Sequence, residues 1–229
     1  MPDQTDVSTV TKQGRSGRMQ PFDMTGVVRT DDGVLRYSGL PRSLLDMLRA
    51  SVERHPDRES IVVLGGERIT YEQLWDRSAR VAGGLRAAGV APGDRVANRH
   101  GNSLEWCLGF WGTLMAGAVV VPVNTRFAES EVRYVVDDAG AEIVLHPDAP
   151  LPDGPAHVTL DADGDTLAAL MYTSGTTGFP KGAMVSHENF LSNVETCIRA
   201  LKTPVDMHIR NLISVPLFHA TGCNSQLLP

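Results

Sequence analysis

The chain has 229 residues, of which 42% are hydrophobic and 21% charged, with a net charge of −6 and a pI near 5.6. This composition is typical of a globular protein with enough apolar residues for a sizeable core, in one large domain or two small ones. Its scattered Lys and Arg residues lack the clustering of a nucleic-acid surface. Three cysteines without metal-ligand spacing argue against a disulfide framework and indicate a reducing, cytoplasmic compartment.

The N-terminal region and one internal run bear on targeting. Residues 1–36 are polar without a sustained hydrophobic period, so they predict a flexible leader, and no apolar core of a signal peptide follows their basic residues. The run Trp106–Thr125 carries no charge and is long enough to span a bilayer. Three glycines interrupt it and Pro122 closes it, so it predicts a helix, a glycine stop and a buried strand, with no transmembrane segment.

Strands and helices alternate along the rest of the chain. Helices are predicted from Ser43, from a Thr70 cap with Gln73 as capping-box partner, from Asn102 or Ser103, over Ser130–Asp138, and from Ser186 with Leu191, Val194, Ile198 and Leu201 inward. Strands are predicted at Ile61–Leu64, Glu67–Ile69, Arg95–Ala97, Ala118–Val123, Ala141–Leu145, Leu167–Tyr172, Ala183–Val185 and Leu212–Val215, with Pro147–Gly164 as a surface excursion. The alternation predicts an α/β fold with a doubly wound, mostly parallel sheet and helices on both faces.

The stretch Leu170–Gly182 carries five hydroxyl side chains, three glycines and Lys181, directly after an apolar run. Glycines let backbone N–H groups approach a ligand, successive N–H groups form an anion-binding nest, and a lysine adds a charge suited to phosphate. The composition therefore indicates a polyphosphate-binding loop. It is not a Walker A loop, because Pro180 precedes the lysine and Gly182 follows it, which disfavours a P-loop NTPase. A Ser/Thr/Gly surface turn between two strands is the alternative.

Residues 172–182 read Tyr-Thr-Ser-Gly-Thr-Thr-Gly-Phe-Pro-Lys-Gly. This order resembles, position for position, the phosphate-binding signature of the adenylate-forming superfamily, which includes acyl-CoA synthetases, firefly luciferase and nonribosomal peptide adenylation domains. The resemblance covers about residues 40–229 and implies a domain over 37–229, with a first subdomain to about 165 and the start of a second from about 166. Other similar segments are Ile69–Leu74, Gly93–Val96, Asn102–Ser103 and Ala116–Asn124, whereas Asn98–Gly101 departs from the apolar strand of relatives.

The resemblance also implies roles for single residues, with Lys181 and His219 as the catalytic ones. The β- and γ-phosphates of ATP would be held by Thr173, Ser174, Thr176, Thr177, Lys181 and the N–H groups of Gly175 and Gly178. Thr173 would also contact Mg²⁺. His219, in Pro-Leu-Phe-His-x-x-Gly, would border the carboxylate pocket and the channel to the second substrate. From the residues alone, a solvated surface lysine and a structural histidine are the alternatives.

The resemblance implies the activity of an AMP-forming acyl-CoA synthetase. Its substrates would be ATP, CoA and a small-molecule carboxylic acid, which we expect to be a fatty acid. Three elements of the superfamily are not found in this sequence: a Tyr-Gly-x-Thr-Glu segment, a Thr-Gly-Asp segment and a C-terminal lid domain. We therefore expect an N-terminal fragment that is inactive alone. The alternative is a short, non-catalytic paralogue that binds nucleotide or a partner chain. An open sheet edge would favour a homodimer, and the location would be cytoplasmic, with peripheral membrane association.

Overall fold

A computed structural model describes residues 21–173, 179–203 and 209–228 of the chain. Its elements are, in order, β1 (Val27–Arg29), β2 (Leu35–Tyr37), α1 (Leu44–Arg54), β3 (Glu59–Val62), β4 (Arg68–Thr70), α2 (Tyr71–Ala87), β5 (Arg95–Asn98), α3 (Leu104–Met115), β6 (Val119–Pro122), α4 (Glu129–Ala139), β7 (Ala141–Leu145), β8 (Leu167–Thr173), β9 (Lys181–Ser186), α5 (His187–Leu201) and α6 (Ala220–Ser225). Helices begin at the predicted caps: Ser43 precedes α1, and Thr70 forms a capping box with Gln73.

The central sheet has five strands in the order β7-β5-β6-β8-β9. Strand β5 pairs in parallel with β6 and β7, β6 pairs in parallel with β8, and β8 pairs antiparallel with β9. Helices α1, α2, α3 and α5 share one apolar core with the sheet, whereas α4 closes a second, smaller core. The predicted α/β fold with a mostly parallel sheet and helices on both faces is confirmed. The predicted hairpin near residue 65 is present as the antiparallel pair β3–β4.

The uncharged run folds as a buried helix followed by a buried strand. Ser103, rather than Asn102, caps α3 by accepting the N–H of Trp106 at 3.2 Å. All residues of α3 except Glu105 are buried, and so is every residue of β6. Between them Gly117 has a φ of +78°, a conformation that glycine adopts at little cost. Among the described residues no helix is both long and apolar enough to cross a membrane.

The segment 147–164 is an irregular surface segment, as its Pro, Asp and Gly content predicts, but it also makes contacts that its composition did not predict. It lies along α2, where its N–H groups at Gly154 and His157 donate to the carbonyls of Arg80 and Ala79 at 3.1 and 2.9 Å. Three of its apolar side chains, Leu151, Val158 and Leu160, pack against the larger core. None of these residues is fully buried, so the predicted surface position is confirmed. The sequence did not show that the backbone of the segment finds hydrogen-bond partners on α2.

Three predictions are wrong in detail. Residues Leu212–Val215 form no strand, and Leu212 is 74% exposed. Leu201, predicted to face the core, is 71% exposed at the end of α5. The predicted leader does not extend through residues 27–36, because β1 and β2 form an antiparallel hairpin there; residues 1–20 lie outside the described part of the chain.

A buried histidine joins helices α1 and α5 of the larger core. His187, the first residue of α5, is 2% exposed, and its Nδ1 accepts the N–H of Leu44 at the start of α1 (3.1 Å). That N–H has no partner within its own helix, so the histidine satisfies it. Burial lowers the pKa of His187 to about 4, and the nearby Asp163 only partly opposes this.

Acid is expected to weaken the fold through His187. In the unfolded chain the imidazole titrates near pH 6.5. Between pH 6.5 and about 4 the unfolded state binds a proton that the folded state does not, so the stabilisation present above pH 6.5 is lost as the pH falls. We expect a loss of about 2–3 kcal/mol across this window. Urea unfolding at several pH values, for the unmodified chain and His187→Gln, measures it, and an identical pH dependence in both would contradict it.

Candidate functional site

The predicted phosphate-binding stretch lies at the tip of an antiparallel hairpin. Strand β8 ends at Thr173 and β9 begins at Lys181, and these two residues face each other across the ladder. Both are exposed. Thr173 is at the carboxyl end of a strand that runs parallel to its neighbour β6, and open α/β sheets bind ligands at this edge. The hydroxyl of Thr173 and the ammonium group of Lys181 therefore belong to the same end of the hairpin.

The centre of the signature lies outside the described residues, and its phosphate contacts stay a prediction: Ser174, Gly175, Thr176, Thr177 and Gly178. In the described ranges, no group of three or more His, Cys, Asp or Glu side chains is arranged to hold a metal ion. Thr173 offers a single hydroxyl oxygen. This fits Mg²⁺ that arrives with a nucleotide, since this ion usually keeps several waters and takes substrate phosphates as ligands.

Tyr172 joins the hairpin to helix α4. Its hydroxyl donates to Asp138 Oδ2 at 2.6 Å. Burial raises the pKa of Tyr172, and so does the neighbouring carboxylate, so the hydroxyl stays protonated and keeps its role as donor. Across the ladder the tyrosine faces Gly182, where an added Cβ would lie only 3.1 Å from Cζ of the ring. This last glycine of the signature therefore makes room for the tyrosine ring.

A second contact to α4 lies on the other side of the signature. The ring of Phe179 packs on that of Tyr134, with centroids 5.1 Å apart and an interplanar angle of 32°. Phe179 is nevertheless 66% exposed, so this ring contact, rather than burial in the core, fixes the position of its side chain. Helix α4 thus contacts the chain both before and after residues 174–178. Sequence reasoning missed Asp138 and Tyr134, because neither belongs to a motif.

His219, the other predicted catalytic residue, is exposed at the start of α6. Its Nδ1 accepts the N–H of Thr221 at 3.4 Å, so the neutral ring carries its proton on Nε2. Gly222 is buried where an added Cβ would lie 2.1 Å from the carbonyl oxygen of Pro216. The glycine three residues after His219 is therefore required by local packing, because only glycine permits the chain to return this closely to Pro216.

Asn102 holds the segment that leads to His219. Its Nδ2 donates to the carbonyl of Val215 at 2.9 Å, and its Oδ1 accepts the N–H of Leu217 at 2.8 Å. The sequence offered this asparagine as an alternative cap for α3, but the structure gives that role to Ser103 and leaves Asn102 to connect distant parts of the chain. The pair of bonds places the His219 turn next to the carboxyl end of β5.

The Asn98–Gly101 segment, which departs from the apolar pattern of the superfamily, ends β5 with polar contacts. Asn98 is fully buried, and its Nδ2 donates to the carbonyl of Trp106 at 3.0 Å. Arg99 then lines an open cavity of about 470 Å³ at the carboxyl ends of β5, β6 and β7. It pairs there with Glu129 and lies 3.3 Å from Nε2 of His146. Strand β5 thus ends at Asn98, and the polar side chains of Asn98 and Arg99 make contacts within the fold.

Comparison with known proteins decides the family. Residues 48–161 and 149–229 match the family model described as AMP-binding enzyme. The chain belongs to the AMP-binding enzyme family. Both the hairpin at Thr173 and Lys181 and the turn at His219 lie within the residues that this family model matches.

Relatives within the AMP-binding family include acyl-CoA ligases. Feruloyl-CoA synthase of Amycolatopsis sp is 39% identical over 186 residues, which cover 72% of this chain and 37% of the relative. Long-chain-fatty-acid–CoA ligase FadD13 of Mycobacterium tuberculosis is 35% identical over 187 residues, covering 68% and 36%. The inhibitor-bound N-terminal domain of FACL13 from the same organism aligns with a TM-score of 0.70 at 30% identity, over 82% of this chain and 54% of that one. The chain thus spans little more than a third of the length of these two curated relatives.

Proposed function

We propose that the chain forms part of an AMP-forming carboxylate–CoA ligase. In the first step a carboxylate oxygen attacks the α-phosphorus of ATP, which gives an acyl-adenylate and releases pyrophosphate. In the second step the thiol of CoA attacks the acyl carbon, which gives a thioester and releases AMP. Two relatives, a feruloyl-CoA synthase and a long-chain-fatty-acid–CoA ligase, support this reaction class. The observation that supports it most is the pairing of Thr173 with Lys181 at the two ends of the signature.

Within this reaction the chain's own residues would hold the leaving group. Negative charge builds up on the pyrophosphate as the bond to the α-phosphorus breaks, and fixed donors that neutralise it lower the barrier. Lys181 supplies a cation and Thr173 a hydroxyl at the same end of the hairpin. Mg²⁺ bound to ATP would supply further charge. His219 would border the carboxylate substrate, with Nε2 directed toward it because Nδ1 already accepts a backbone N–H.

The acid substrate and the setting of the reaction belong to the same proposal. One of these relatives is named for an aromatic acid and the other for a long-chain fatty acid. We therefore propose an acid substrate with a sizeable apolar part, with a fatty acid as the first choice. CoA is the proposed thiol. A cytoplasmic location fits the free thiols of Cys107, Cys197 and Cys223. Self-association as a homodimer through the edge strand β9 stays a prediction.

Replacing Lys181 with alanine is expected to weaken ATP binding by about tenfold, the size of effect expected when one charge-assisted phosphate contact is removed. Isothermal titration of the chain with Mg·ATP and with pyrophosphate measures it. The matched control is Lys202→Asn, which removes the same charge at the end of α5. Asn tolerates the left-handed backbone there, where φ is +53°. If Lys181→Ala and the unmodified chain bind Mg·ATP with equal affinity, Lys181 is not part of the nucleotide site.

Carboxylate-dependent exchange of pyrophosphate into ATP then tests the chemistry, with short-chain, long-chain and aromatic acids. Exchange with any acid would establish adenylation by this chain and identify the acid class. ATP binding that depends on Lys181, without exchange, would support the alternative of a nucleotide-binding module without catalysis. No ATP binding at all would contradict the proposed function.

A further inference from the structure

Helix α4 is fixed to the sheet independently of the hairpin tip. It buries Val132, Val135 and Ala139 in the smaller core. At its carboxyl end the guanidinium of Arg95 donates to the carbonyls of Ala139 and Gly140 at 2.8 and 2.9 Å. Arg95 begins β5, which lies inside the sheet between β6 and β7. These bonds satisfy carbonyls that a helix end leaves without partners, so the last turn of α4 is held in place.

Helix α4 presents two side chains to the hairpin, one from its last turn and one from the turn before. Tyr134 and Asp138 are four residues apart and therefore neighbours on one face of the helix. Asp138 accepts the hydroxyl of Tyr172, one residue before Thr173, and Tyr134 packs on Phe179, two residues before Lys181. One helix face thus contacts both legs of the hairpin. These contacts lie next to the two described residues assigned to nucleotide binding.

We propose that Asp138 and Tyr134 are positioning residues for the nucleotide-binding hairpin, a role that rests on the proposed function. Their contacts fix the direction in which the two legs leave the sheet, and so fix where the hydroxyl of Thr173 and the ammonium group of Lys181 stand. Neither residue touches the nucleotide. The Tyr172–Asp138 bond is the stronger of the two restraints, because a hydrogen bond to a charged acceptor typically contributes more than a contact between two aromatic rings.

Binding measurements on variants of Asp138 test this role. Asp138→Ala is expected to weaken the affinity for Mg·ATP by about tenfold. Asp138→Asn keeps an acceptor oxygen for the Tyr172 hydroxyl and is expected to restore most of the affinity. The matched control is Asp137→Ala, which removes the same type of side chain from the neighbouring, exposed position of the same helix and should bind as the unmodified chain does.

Tyr172→Phe removes the other partner of the same bond, so Tyr172→Phe combined with Asp138→Ala should lose little more affinity than either change alone. Hydrogen exchange without ligand is a second readout. Asp138→Ala should speed amide exchange in the peptide covering 170–182 and leave α2 and α3 unchanged.

The outcomes separate the two proposals. If Lys181→Ala weakens binding but Asp138→Ala lowers only the melting temperature, the positioning role is overturned and the proposed function stands. Additive losses in the double variant would overturn it as well. If the unmodified chain does not bind Mg·ATP, the proposed function fails and the positioning role fails with it.

Discussion

Phe110→Ala is expected to destabilise the chain by about 3–5 kcal/mol, the usual range for truncating a buried aromatic side chain. Phe110 is fully buried at the centre of α3. Its ring stacks on Trp106 (centroids 5.4 Å apart) and meets Trp111 and Phe190 edge-on at 5.4 and 6.2 Å. The Phe190 contact joins α3 to α5, so the substitution removes both the apolar area and the surface on which α5 packs.

Urea unfolding followed by circular dichroism measures the effect of Phe110→Ala. The control is Phe22→Ala, which truncates the same side chain where it is 42% exposed, and a loss below about 1 kcal/mol is expected there. For a domain of this length, the core variant should also melt about 10 °C lower. Equal losses for the two variants would show that the aromatic cluster does not hold α5 to the rest of the domain.

Gly83→Ala is expected to destabilise the chain by about 3 kcal/mol, although alanine is the better helix former. Gly83 lies in α2, where residues 152–155 cross it at backbone distance. An added Cβ would lie 1.8 Å from the carbonyl oxygen of Pro155. The segment would have to move away from the helix, and the hydrogen bonds from Gly154 and His157 to α2 would lengthen or break.

The control for Gly83→Ala is Gly101→Ala. It adds the same methyl group where no atom lies within 4 Å, and its free energy of unfolding should stay within about 0.5 kcal/mol of the unmodified value. Limited proteolysis adds a local readout, since Gly83→Ala should expose residues 147–164 to cleavage. Resistance of this segment to protease in the variant would contradict the proposed contact.

The elements that sequence predicted well are those determined by local chemistry. The Thr70–Gln73 capping box involves residues three apart, and both of its hydrogen bonds are present at 3.0 and 3.2 Å. The uncharged run was correctly divided into a helix and a strand because Gly117 stops the helix. At the site, the order of residues from Tyr172 to Gly182 predicted the family, and the strand pair that flanks the signature followed from its apolar neighbours.

The elements that sequence missed depend on distant partners. The β1–β2 hairpin is short and polar, but Arg199 of α5 donates to the carbonyls of Asp23 and Thr25 at 3.0 and 2.6 Å and lies over the ring of Tyr37. The run Leu212–Val215 has strand-like residues, yet in the described part of the chain no strand pairs with it. Strand propensity depends on such pairing, which a local pattern does not contain.

The residues that support the candidate site were missed in the same way. Asp138 lies 34 residues before its partner Tyr172, and nothing in its own neighbourhood distinguishes it from Asp137. Asn102 lies more than 100 residues from the two backbone groups it binds. A motif in the sequence therefore gives the candidate ligand-binding residues, whereas the residues that contact the motif from elsewhere in the chain become visible only in the fold.

The pairing of Thr173 with Lys181 would also lower the entropic cost of the proposed nucleotide binding. Seven residues separate the two, and bringing the ends of such a free segment together has an entropic cost. Here this entropy is lost when the protein folds, because strands β8 and β9 pair as far as Thr173 and Lys181. If the chain binds a nucleotide as proposed, these two residues need no further ordering of their backbone, and a smaller ordering cost leaves more of the contact energy as affinity.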